Sequence, residues 1–108
     1  MKKIYIILLL LVTVSIANGQ TKLQADSAYV NNDYAGAVEM YEAILANEGE
    51  SADLYYNLGN SYYKMDNIAK AILNYERALL LNPGDGDIRF NLELAQSKAV
   101  DKGVPMSE

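Results

Sequence analysis

Asn67-Ile68-Ala69-Lys70-Ala71-Ile72-Leu73-Asn74-Tyr75-Glu76-Arg77-Ala78-Leu79 lies 34 residues beyond Asp33-Tyr34-Ala35-Gly36-Ala37-Val38-Glu39-Met40-Tyr41-Glu42-Ala43-Ile44-Leu45 and echoes it position by position. Ala37 falls on Ala71, Tyr41 on Tyr75, Glu42 on Glu76 and Leu45 on Leu79. In the later copy Ile68, Ala71, Ile72, Tyr75, Ala78 and Leu79 recur at helical spacing, as one face of a period near 3.6. A fixed period of this length means stacked helix-turn-helix units, so the expected fold is an all-α array. Such arrays offer an extended concave surface for binding and seldom do chemistry themselves.

Outward from this stretch, Ala52-Asp53-Leu54-Tyr55-Tyr56-Asn57-Leu58-Gly59-Asn60-Ser61-Tyr62-Tyr63-Lys64 carries Tyr55, Leu58, Gly59 and Tyr62 at the same helical spacing. Met65-Asp66-Asn67 between the two helices supplies residues that tolerate left-handed backbone and cap the next helix. Pro83-Gly84 stops the second helix, because proline cannot continue the hydrogen-bond ladder. Beyond it Asp85 is a candidate N-cap, Ile88, Leu92, Ala95 and Ala99 share one face, and Gly103 and Pro105 end a last helix.

The second unit resembles the tetratricopeptide repeat. That family places an aromatic, Leu-Gly and Tyr on the first helix, then Ala, an aromatic, Ala and Pro on the second. Tyr55, Leu58, Gly59, Tyr62, Ala71, Tyr75, Ala78 and Pro83 stand in those places in order. Gly59 and Ala71 are small where two helices approach, and Tyr55, Tyr62 and Tyr75 fill the wider gaps. The preceding unit, about 18–51, is worn: Thr21 stands in the aromatic place, Gln24 and Ala25 in those of Leu and Gly, Ala28 in that of Tyr. Glu93 stands where a third repeat would carry glycine, so residues 86–101 read as a capping helix and 102–108 as a tail. The expected domain, 20–101, is thus two repeats, about 18–51 and 52–85, plus a cap. Terminal repeats are commonly atypical, since one face meets water.

The resemblance implies that first helices line a concave groove. The positions that then face it are Lys22 and Asp26; Asp53, Tyr56, Asn57, Asn60, Tyr63 and Lys64; and Asp87 and Asn91. Tyrosine and asparagine combine contact area with hydrogen bonding, which suits extended peptides. Some family members grip a C-terminal carboxylate with a two-lysine clamp. Lys22 and Asn57 match it, whereas Asp26, Asp87 and Asn91 depart from it. Acids among the departures repel an anionic terminus, so the expected partner is a neutral or basic protein segment. An ordinary solvated face is the alternative for these same residues.

Leu54 to Lys64, Asn67 to Asp85 and Asp87-Ile88-Arg89-Phe90-Asn91-Leu92-Glu93-Leu94-Ala95 also resemble the tetratricopeptide protein of the Bacteroides aerotolerance group. This implies a cell-envelope protein beside von Willebrand type A domain partners, linked to oxidative-stress tolerance. In that group a transmembrane segment and an SH3-like domain typically follow. This chain stops at Glu108, as a truncated form or a short relative, so membrane tethering is expected only through an uncleaved N-terminus or such a region.

Met1-Lys2-Lys3, then an apolar run from Ile4 to Ala17, then Asn18-Gly19-Gln20 form the three-part layout of a secretory signal peptide over 1–19. The run is shorter than the ~20 residues a spanning helix needs. Small residues permit a cut before Gln20 or before Asn18. The expected location is the periplasm or cell envelope. Loss of Lys2 and Lys3 leaves 7 basic against 14 acidic side chains, a net charge of −7.

The 108 residues contain no cysteine and no histidine. That removes disulfides, thiolate nucleophiles, Cys or His metal sites and the commonest general base. No paired-carboxylate constellation replaces them, so no enzyme activity, metal or cofactor is expected. The acidic balance disfavours nucleic acid, whose affinity rests on phosphate neutralisation. Glu48-Gly49-Glu50 lacks the spacing of a calcium loop and reads as an inter-repeat turn. Two readings stay open: an exported protein-binding module, and a self-assembling structural unit whose repeat edges pair between copies.

Overall fold

Helix starts are written into this sequence by side chains that accept backbone N–H groups. In a computed structural model, which describes residues 21–104, five α-helices follow one another and no strand occurs among the described residues. They are α1 (Lys22–Val30), α2 (Tyr34–Glu48), α3 (Ala52–Lys64), α4 (Ile68–Leu81) and α5 (Gly86–Lys102). Thr21, Asp33, Ser51, Asn67 and Asp85 cap them, each accepting from an amide in the first turn. Such caps satisfy donors that the helix itself cannot. The signal-peptide reading of residues 1–19 and the terminating role of Pro105 lie outside the described residues.

The turns repeat at the sequence period. Asn32 and Asp66 both take left-handed backbone, at φ 65° and 63°. The next residue, Asp33 or Asn67, donates its N–H to the carbonyl of Ala28 or Tyr62, at 2.8 and 2.9 Å. Asn and Asp tolerate this conformation because a short polar side chain bonds locally. Gly49 at φ 96° closes α2, in place of the proline that ends the second unit.

Two elements depart from the register. Thr21 is not a worn core aromatic but the N-cap of α1, with a full capping box: its N–H donates to Gln24 Oε1 and its hydroxyl accepts from Gln24 N. That cap starts α1 at Lys22, so α1 has 9 residues against 13 in α3. At the other end, α5 runs 17 residues and stays helical through Val100, where Asn32 and Asp66 turn in the earlier units. Gly103 at φ 69° ends it.

Each helix packs on its neighbours in chain order, α1 on α2, α2 on α3, α3 on α4 and α4 on α5. The core is a ladder of small and aromatic side chains. Ala25, Ala37, Ala71, Ala78, Ala95 and Ala99 are fully inaccessible, and Tyr41, Tyr75 and Leu58 are the largest apolar side chains sealed among them. Gly59 shows why small residues are placed there. A Cβ at Gly59 would stand 2.5 Å from Cε1 of Tyr75, so the ring occupies the space that glycine leaves. Tyr55 and Tyr62 are buried and reach back to the preceding hairpin, donating to Glu50 Oε1 (2.8 Å) and Glu42 Oε1 (2.9 Å). Their rings supply apolar area while their hydroxyls link α3 to the loop before it and to α2.

Candidate functional site

The inner helices α1, α3 and α5 meet through polar side chains on one side of the core. Tyr75 of α4 donates to Oδ1 of Asn60 on α3 at 2.5 Å, and Tyr41 of α2 donates in the same way to Oδ1 of Asp26 on α1. The two contacts are 34 residues apart, so the period extends to hydrogen bonding. Burial pushes the Tyr41 and Tyr75 hydroxyls far above the ordinary tyrosine range, which keeps both as donors. Asn60 Oδ1 also accepts from Nδ2 of Asn91 on α5 at 3.0 Å, and the same Nδ2 donates to the Tyr56 hydroxyl at 3.0 Å. The rings of Tyr56 and Tyr75 stand 6.0 Å apart.

Beside this cluster lies a hollow of about 210 Å³. Tyr29 of α1, Asn60, Tyr63 and Lys64 of α3, and Asn91 and Leu94 of α5 line it, with Tyr75 beneath. Lys98 Nζ stands 4.9 Å from the Tyr63 ring centroid, a cation–π placement that fixes one wall. A smaller hollow of about 180 Å³ opens at the other end of α3, between Asp53 and Tyr56 and the α4–α5 junction at Asn82, Asp85 and Ile88.

Charge is unevenly shared between these ends. Lys22 Nζ sits 2.9 Å from Asp26 Oδ2 and 3.1 Å from Asp53 Oδ2, joining α1 to α3. The hydrogen bond to Asp26 raises the lysine pKa against an opposing effect of burial. For Asp26, burial alone favours the protonated acid, but the hydrogen bonds from Tyr41 and Lys22 outweigh it and lower the pKa. All three side chains are substantially exposed, so these pairs set charge and orientation more than stability. One lysine is thus committed to two carboxylates at the N-terminal ends of α1 and α3, while Lys64 borders the hollow near the C-terminal end of α3.

The expected groove residues divide accordingly. Asn60, Tyr63, Lys64 and Asn91 are brought together around the larger hollow, Asp53 and Tyr56 border the smaller one, and Lys22 and Asp26 form the ion-pair corner. Asn57 and Asp87 line neither hollow. Tyr56, expected to face the groove, is half-buried and hydrogen-bonded across to α5. Tyr29, Leu94 and Tyr75 are lining residues that the sequence reading missed. The signal was present for two of them: Tyr29 lies 34 residues before Tyr63, and Leu94 lies 34 after Asn60.

A match to the tetratricopeptide repeat family spans residues 52–85, which hold all of α3 and α4. Residues 52–85 are thus similar to a tetratricopeptide repeat. The five-helix fold is the helical array that such repeats build. No curated protein matches the chain. Tetratricopeptide repeats are protein-interaction modules and typically carry no catalytic site. Among the described residues no three Asp or Glu side chains converge where they could hold a metal ion, and no helix is long and apolar enough to cross a membrane.

Proposed function

We propose that this chain is an exported interaction module that holds an extended segment of a partner protein across α1, α3 and α5. The observation behind this reading is the hollow whose Tyr29, Asn60, Tyr63, Lys64 and Asn91 come from three successive inner helices. A surface assembled from three elements can fix a segment's position and direction, which a flat solvated face cannot. The segment is neutral or basic where it meets Asp26 and Asp53, since the single lysine there is already shared between them. Asn60 Nδ2 and Asn91 Oδ1, which the Tyr56–Asn60–Tyr75–Asn91 network does not use, suit a peptide main chain.

Export to the periplasm or cell envelope is supported by the three-part layout of residues 1–19. A role in oxidative-stress tolerance, beside von Willebrand type A domain proteins, is supported by the wording of residues 54–95. The binding reading is tested by pull-down from an envelope fraction, with the chain from Gln20 onward as bait. A partner captured by the parent chain is lost with Tyr63→Ala/Lys64→Ala. Capture that survives this pair of changes places the contact elsewhere. N-terminal sequencing of the protein recovered from the envelope tests export; a first residue of Met1 defeats the cleavage reading.

A further inference from the structure

One hollow in the array is walled by three helices, and its counterpart one period later has only two. Glu42 and Leu45 of α2 and Tyr55 and Leu58 of α3 border a hollow of about 290 Å³, whose remaining wall is Leu73, Asn74 and Arg77 of α4. Their counterparts 34 residues on are Glu76, Leu79, Arg89 and Leu92. These four, with Leu80 and Pro83, border a hollow of about 750 Å³ that no helix covers among the described residues. Leu80 is 82% exposed there, beside Leu79, Pro83 and Leu92 in the same lining.

We propose that this face seats one amphipathic helix of a partner protein, in the position that α4 takes against α2 and α3. The differences between the two places specify the helix. Leu79 and Leu92 keep the apolar floor that Leu45 and Leu58 provide, so an apolar stripe is retained. Arg77 packs 5.8 Å from the Tyr55 ring centroid. The counterpart of Tyr55 is Arg89, whose Nη2 is held at the rim by the Pro83 carbonyl at 2.6 Å. The helix therefore carries a carboxylate where α4 has Arg77. Tyr75 lays its ring on Gly59, but the counterpart of Gly59 is Glu93, so the helix carries a lysine where α4 has Tyr75. The partner element is a leucine-striped helix with an acid facing Arg89 and a base facing Glu93. This surface shares no lining residue with the hollow on the inner helices and does not depend on the peptide reading above.

The test uses the full chain and two synthetic peptides in isothermal titration calorimetry. One peptide copies residues 67–82; the other copies them with Tyr75→Lys and Arg77→Glu, both with blocked termini. Each must fold on binding, so that cost is shared and the comparison reads the matched charges. The altered peptide binds about tenfold more tightly or better, the scale of a charge complement in place of a clash. Leu80→Glu, a change at an exposed residue, weakens it by a similar factor. Arg89→Glu in the chain removes most of the altered peptide's advantage over the copy. Tyr63→Ala in the chain leaves these affinities unchanged, which separates this surface from the inner hollow. Absence of binding by either peptide, or binding indifferent to Arg89→Glu, overturns the proposal. So does a sedimenting dimer that Leu80→Glu dissociates, since a second copy would then cover the face.

Discussion

A tyrosine hydroxyl placed in a helical core must be given an acceptor, and Tyr41 and Tyr75 each find theirs 15 residues earlier, in Asp26 and Asn60. Tyr75→Phe removes the bond but keeps the ring on Gly59, so the expected loss is about 1 kcal/mol in denaturant unfolding. A loss above about 3 kcal/mol would mean that the hydroxyl holds more than Asn60. Gly59→Ala is expected to cost about 1–3 kcal/mol, because the Tyr75 ring is held by its own hydroxyl and cannot swing clear of a new Cβ. An unchanged denaturation midpoint would show that α3 and α4 can part at no cost. Burial of Tyr55, Tyr62 and Tyr75 is legible in the sequence, because a period of 3.6 fixes which face of a helix points inward. What those hydroxyls bind is not. The period gives a face and not a distance, so Asp26, Asn60 and Asn91 read as free groove groups when they are hydrogen-bonded to tyrosine or to one another.

At the scale of elements, the five helices are legible because each starts at a capping side chain and the α1–α2 and α3–α4 turns repeat an Asx pair at Asn32-Asp33 and Asp66-Asn67. Their lengths are less so. Thr21 satisfies both a repeat register and a capping box, and the local hydrogen bonds decide in favour of the cap. The extra turn of α5 has no counterpart in the repeat, but Gly103 marks its end in the sequence, and the expected helix over 86–101 falls one residue short of the observed Gly86–Lys102. We expect α5 to be required for the fold, because it covers α4 with Ile88, Leu92, Ala95 and Ala99, all buried. Asp85 accepts from the amides of both Asp87 and Ile88, so Asp85→Ala is expected to lower stability by about 1 kcal/mol. Deletion of residues 86–108 should go further and abolish cooperative thermal unfolding by circular dichroism. A sharp transition at the parent temperature would remove the capping role from α5.

For the whole molecule, the tyrosines set the alkaline limit of stability. Tyr41, Tyr62 and Tyr75 have folded-state pKa values raised above about 10, chiefly by burial, with Tyr62 at about 12. A raised value means that folding favours the protonated phenol, so this contribution is complete below about pH 10. It is lost as pH rises from there toward 12. An absorbance titration should therefore show Tyr41, Tyr62 and Tyr75 ionising only as helicity collapses. A single transition near pH 10 with helicity intact would contradict it. The acid limit has the opposite sign: Asp26 and Asp66 are depressed, so their contribution holds above about pH 4 and fades below it. The long α5 carries a last consequence, for the order in which the array comes apart. Its added turn places Lys102 Nζ 2.5 Å from Asp66 Oδ2, tying the helix end to the α3–α4 turn, while the opposite edge is the nine-residue α1. A stacked array opens from its weaker end. Unravelling should run one way, with amide protons of α1 exchanging first and those of α3 and α4 last.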